Sequence, residues 1–272
     1  TLSPMNRIDR IFQDLRTRKE RALMPFVTAG YPTLEATEAV LPALQRGGAS
    51  ICELGFPFSD PIADGLTIQA SMSAALDRGV HPADIFDMVE RQRDAVDLGI
   101  VAMVTFSIVY RMGVDRFIER SQQAGVDGFI FPDLPLEEAE AVVEPVRDAG
   151  LISSLLISPT TPPERAAAIA RRSTGFIYLV ARTGITGARE DLPPELPRRV
   201  EQLREVTDLP IAVGFGISQA KHVRAVTEVA DAAIVGSALV KHLGDLADQP
   251  PDRIAAEVEQ FITNLATGLA RS

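Results

Sequence analysis

The sequence predicts an α/β fold, a (β/α)8 TIM barrel with an additional N-terminal helix, and three observations predict it. Short apolar runs rich in Val, Ile, Leu and Phe recur without polar alternation, the pattern of parallel strands covered on both faces. Amphipathic helical segments separate these runs at near-regular intervals. The strand count reaches eight within 272 residues, and no linker or composition shift divides the chain. A single barrel domain over residues 1–272 is expected, with residues 1–20 as the extra helix. An open doubly wound sheet is the alternative, because periodicity does not report closure.

Taken in order, the N-terminal segment is a charged amphipathic helix with Ile8, Ile11, Phe12 and Leu15 on one face, without the apolar centre of a signal peptide. Strands are expected at Leu23–Ala29, Ser50–Leu54, Val101–Phe106, Gly128–Phe131, Leu151–Ile157, Gly175–Val180, Pro210–Gly214 and Ala232–Gly236. Helical periodicity marks Leu34–Arg46, Asp115–Ala124, Leu136–Asp148, Pro163–Arg171, Pro194–Glu205, Gln219–Val229 and a final Arg253–Leu269. Gly47, Gly125 and Gly150 follow the last apolar turn of three of them, where glycine ends helices.

Composition narrows the function classes. No apolar run approaches the roughly 20 residues that cross a bilayer. The formal charge is −10, from 37 acidic and 27 basic residues, which argues against nucleic acid or an anionic membrane as partner. A small phosphorylated ligand remains open, because backbone N–H groups hold anions without side-chain charge. Cys52 is the only cysteine, so no intrachain disulfide forms and a cytoplasmic location is expected. Its apolar neighbours suggest a buried, inert thiol.

In a barrel, chemistry belongs at the C-terminal ends of the strands. Those ends carry Thr28, Glu53 with Asp60 and Asp64 in the following loop, Ser107, Asp133, Ser158, Arg182 with Thr183, Gly214–Gly216 and Gly236–Ser237. The seventh and eighth strands end in Gly214-Phe215-Gly216 and Gly236-Ser237-Ala238, and loops at these positions of a barrel often hold a phosphate. Gly184-Ile185-Thr186-Gly187 adds a glycine turn on the same side. A Schiff base needs a lysine in the pocket, but Lys19, Lys221 and Lys241 fall on helices. Metal ligation or a serine–histidine pair needs a histidine there. His81, His222 and His242 also fall on helices or helix starts, the latter two read as surface residues. No metal site is expected, and acid–base chemistry by Glu53 and a loop aspartate remains. The structural alternatives are a Glu53 salt bridge with Arg182, a loop-capping Asp60 and an Asp64 N-cap.

At this level of detail the chain resembles the tryptophan synthase α subunit family from about Arg7 to Ala266. The residues that carry the likeness are Pro25–Pro32, the Glu53–Gly65 segment ELGFPFSDPIADG, Gly125–Gly128, Pro132–Pro135, Tyr178–Val180 leading to Gly184–Gly187, Val213–Ile217 and Val235–Ala238. The resemblance implies retro-aldol cleavage of indole-3-glycerol phosphate to indole and glyceraldehyde 3-phosphate. By the same resemblance Glu53 handles the proton transfers, and Asp64 hydrogen-bonds the indole N–H. Phe26, Ile68, Tyr178 and Phe215 line the indole site, Thr186 closes a loop over it, and Gly187, Gly216, Gly236 and Ser237 hold the phosphate. The likeness also implies no cofactor in this chain, and an α2β2 heterotetramer with a β subunit carrying pyridoxal phosphate.

Three departures stand out. Thr105-Phe106-Ser107-Ile108 replaces the family's usual Tyr-Tyr-Asn-Pro, Leu66 replaces a proline, and Ala181 replaces a serine. None removes a catalytic group, but they alter loops that in the family face the partner. Other readings are a stand-alone lyase, a sugar-phosphate isomerase on a related barrel, and a silent barrel that senses a phosphorylated ligand.

Overall fold

The computed structural model describes residues 5–61, 64–181, 192–214 and 216–269. Eight strands run parallel in sequence order: β1 (Ala22–Thr28), β2 (Ile51–Gly55), β3 (Gly99–Met103), β4 (Gly128–Phe131), β5 (Ile152–Ile157), β6 (Ile177–Val180), β7 (Ile211–Gly214) and β8 (Ala232–Val235). Strand β8 pairs with β1, Ala232 opposite Ala22, so the sheet closes and the open-sheet alternative is excluded.

The helices are α1 (Arg7–Arg18), α2 (Leu34–Arg46), α3 (Leu66–Asp77), α4 (Pro82–Gln92), α5 (Phe106–Met112), α6 (Val114–Ala124), α7 (Leu136–Asp148), α8 (Pro163–Arg172), α9 (Leu196–Arg204), α10 (Ala220–Thr227), α11 (Ser237–Asp245) and α12 (Pro251–Ala266). Their apolar stripes pack on the outward strand residues in one continuous core that includes Leu23, Val27, Cys52, Leu54, Phe86, Phe117 and Phe129.

Most strand boundaries differ from expectation by one or two residues. The largest change is at β3, expected at Val101–Phe106 and observed at Gly99–Met103. The chain leaves the sheet after Met103, and Phe106 opens α5. Of the expected helix-ending glycines, Gly125 and Gly150 have φ of 83° and 74°, but Gly47 stays right-handed at −71°. The left-handed residue after α2 is Gly48, with φ of 99°.

Inward side chains form a second core inside the barrel. Alternate strands supply each layer of such a barrel. The strand register, with the stagger of a closed barrel, puts Glu53, Ile130, Tyr178 and Ile234 from the even strands at one height. Ile51 and Phe176 lie one repeat below, toward the strand N-termini.

Helix α1 closes that lower end. The Asn6 side chain accepts from Ile8 N at 2.8 Å and caps the helix. The Asn6 amide donates to the carbonyls of Asp127 (2.9 Å) and Gly150 (2.8 Å), at the starts of β4 and β5. Buried Ile8, Phe12 and Leu15 then face the barrel interior, with Phe12 and Phe176 ring centroids 6.0 Å apart. Gly99 makes room: a Cβ there would stand 2.6 Å from Ile8 Cδ1.

Candidate active site

The site is at the C-terminal mouth of the barrel. Side chains alternate along β2, so Cys52 and Leu54 face the outer core while Glu53 faces inward. Glu53 is fully buried, and neither carboxyl oxygen has a hydrogen-bond partner among the described residues. The salt-bridge reading with Arg182 falls partly on a residue outside the described set. Burial first, and the charge of Asp64 second, push the Glu53 carboxyl well above the ordinary glutamate range. An unpartnered buried carboxyl is costly, and such groups concentrate where chemistry needs them.

Asp64 lies in the loop after β2, half-buried, its carboxyl raised by burial to about 6. It is not a cap: α3 starts after Gly65 and has no side-chain cap. Asp60 is exposed, and Ser59 donates to it at 2.6 Å. Tyr178, from β6 across the barrel from Glu53, is half-buried. Burial, then Glu53, then Asp64 raise its phenol well above the ordinary tyrosine range, so it stays neutral. Its hydroxyl faces Gly214 of β7, 3.4 Å from where a Cβ would stand. Glu53, Asp64 and Tyr178 therefore share one electrostatic environment.

The apolar wall is also assembled. Phe26 pairs in register beside Glu53 and belongs to the interior core, and half-buried Ile68 from the first turn of α3 packs against that core. Ile68 Cδ1 lies 3.7 Å from where a Cβ on Gly236 would be, so the α3 start and the β8 loop meet. Gly236 is the N-cap of α11 and Ser237 its first residue, exposed at the same mouth. Leading N–H groups of a helix have no intrahelical partner and attract anions. Gly216, with φ of 64°, leaves open space where a side chain would stand. Thr186, Gly187 and Phe215 lie outside the described residues.

The residues set aside in the sequence behave differently from one another. Lys221 and Lys241 are on α10 and α11, and Lys19 caps α1. His222 is not on the surface: it is only 4% exposed, on the inner face of α10, and its Nδ1 accepts from Ser218 N at 3.3 Å. His242 is half-buried because it stacks on Phe261 of α12, centroids 4.9 Å apart. Both belong to helix packing outside the barrel. Among the described residues, no three His, Cys, Asp or Glu side chains group as a metal site. Burial raises the Cys52 thiol, and Glu53 raises it further, which keeps it protonated.

Sequence reading passed over the residues that hold the Asp64 loop. Gln69 Nε2, on α3, donates to the Asp64 carbonyl at 2.8 Å and reaches the Pro61 carbonyl at 3.3 Å. Ser71 Oγ donates to the Ile68 carbonyl at 2.7 Å and lies 2.6 Å from Thr28 Oγ1 at the end of β1. Their partners are backbone atoms or distant in sequence, and no motif announces them.

The fold and the buried acidic group at its mouth define the class, a TIM-barrel enzyme. The chain belongs to the tryptophan synthase alpha chain family, whose model matches residues 12–269. It is 45% identical to the tryptophan synthase alpha chain of Rippkaea orientalis, over 97% of this chain and 98% of that one. Identity to the Cyanothece alpha chain is 44%, over 95% and 96% respectively. Among solved structures, Mycobacterium tuberculosis tryptophan synthase superposes with a TM-score of 0.88 at 34% identity, covering 98% of this chain and 99% of that one. The alpha subunit from Legionella pneumophila gives 0.87 at 33% identity, covering 97% and 98%. The chain is accordingly a carbon–carbon lyase of tryptophan biosynthesis that cleaves indole-3-glycerol phosphate.

Proposed function

We propose that Glu53 and Asp64 carry out this cleavage. In the retro-aldol step, indole C3 gains a proton and the ring becomes an electron sink. The neighbouring glycerol hydroxyl loses its proton and becomes the aldehyde. The electron pair of the broken carbon–carbon bond restores the aromatic ring, so one proton moves from oxygen to C3 overall. A carboxyl whose protonated form is favoured by burial suits the donor, and once ionised it can take the hydroxyl proton. Glu53 is that group. Asp64, mostly ionised at neutral pH, accepts the indole N–H and stabilises positive charge that develops mainly in the transition state.

Phe26, Ile68 and Phe215 pack on the indole, and Tyr178 contacts it as a neutral phenol. Gly187, Gly216, Gly236 and Ser237 take the phosphate, and Thr186 closes over the site. The single observation that carries this reading is the buried Glu53, without a hydrogen-bond partner among the described residues and within the electrostatic reach of Asp64. Glu53→Gln is expected to lower indole release by at least about 10³-fold while glycerol 3-phosphate affinity stays within about threefold. Parental activity in that variant would overturn the assignment. We also infer a cytoplasmic α2β2 assembly in which the cofactor, pyridoxal phosphate, belongs to the β subunit.

A further inference from the structure

Glu53 is fixed by a strand, but Asp64 rides on a loop, and retro-aldol chemistry needs both carboxylates in register with one substrate. The loop is tied at two points by one side chain. The Gln69 amide meets the carbonyls of Asp64 and Pro61, at 2.8 and 3.3 Å, which bracket the residues just before the carboxylate. Two carbonyl acceptors around one atom fix it as the nitrogen of the amide, since the oxygen would be repelled by both. Gln69 is itself anchored. It is on the first turn of α3, and two residues later Ser71 bonds both the Ile68 carbonyl and Thr28 of β1. Thr28 and Ser71 are essentially without exposure, and Thr28 lies in register with Gly55, two residues past Glu53. Two hydrogen-bonded groups, Thr28–Ser71–Ile68 and Gln69–Asp64, are joined through the covalent turn of α3 between Ile68 and Gln69, and so tie the barrel wall beside Glu53 to the backbone of Asp64.

We propose that Gln69 is a positioning residue for the lyase reaction, holding the Asp64 carboxylate at a fixed place relative to Glu53 through the Thr28–Ser71 tie. This rests on the assignment of Asp64 above. A displacement of about 1 Å at a catalytic group costs up to roughly 100-fold, so the effect belongs mainly in kcat.

The test is a double-mutant cycle in the 272-residue chain, with indole release as readout. Gln69→Met keeps length and helix propensity but removes both donors. Gln69→Glu keeps the shape and sets a negative charge against the two carbonyls. Expected are a 10- to 100-fold fall in kcat for Gln69→Met (estimated from the cost of misplacement), a larger fall for Gln69→Glu, and KM within about threefold. Glycerol 3-phosphate affinity and the thermal midpoint serve as folding controls and should stay near parental. In an Asp64→Asn background, Gln69→Met should have little further effect, because the group it positions is gone. An equal loss in both backgrounds would mean general damage and would overturn the proposal, as would parental kcat in Gln69→Met and Gln69→Glu. If Asp64→Asn alone leaves the rate unchanged, the role of Asp64 fails first and the proposal falls with it.

Discussion

Burial, and after it the charge of Asp64, favour the protonated form of Glu53 in the folded chain, whereas the unfolded chain releases that proton around the ordinary value of 4.5. A carboxyl group raised in the folded state weakens stability as pH climbs from 4.5 toward its native value, because the unfolded state then binds fewer protons. Glu53→Met should therefore abolish activity and stabilise the fold at pH 8 by about 1–3 kcal/mol, from removal of an unpartnered buried carboxyl. Denaturant titration at pH 5 and pH 8 checks this, with the larger gain expected at pH 8. Asp64 sets a second pH dependence. In its proposed role it must be ionised to accept the indole N–H, so kcat/KM should fall as pH drops through about 6, with the limb absent from the residual activity of Asp64→Asn. The Glu53 candidate was legible in the sequence because an acidic side chain at the end of an apolar strand conflicts with the core around it, whereas choosing Asp64 from the loop aspartates rested on the family resemblance. The Gln69 contacts were illegible, because the sequence does not display which backbone carbonyls a side chain will find.

Elements show the same division between local and distant causes. Strands β1 to β8 were readable because each is a short run buried along most of its length, and Gly128–Phe131 matches its expected bounds. The end of β3 was not. Asp133, from the loop after β4, accepts from Phe106 N at 2.8 Å and from the Thr105 hydroxyl, and so supplies an N-terminal cap for α5 from a distant part of the chain. Neither position identifies the other in advance. Helix α1 was read as an amphipathic extra, and its apolar face serves as the floor of the barrel. Phe12→Ala should cost about 3–5 kcal/mol, measured by denaturant midpoint, with KM for the remaining folded enzyme near parental.

For the whole molecule, the departures in the sequence gather on the catalytic face. Of these, Leu66, at the start of α3, is 67% exposed, and beside the altered Thr105–Ile108 run Tyr110, on α5, is 74% exposed. Large apolar side chains held in water at the mouth of a barrel fit the proposed association with the β subunit. Leu66→Asp should weaken that association about tenfold in sedimentation or light scattering, while indole release by the isolated chain changes little.

The closed floor bears on traffic. With Ile8, Phe12 and Phe176 sealing one end, the reaction chamber is a cul-de-sac whose doorway is the loop face. Anything seated over that doorway governs arrival of substrate and departure of both products without touching a reacting atom. Changes at the sealed end alter how firmly the vessel holds together and leave its access untouched.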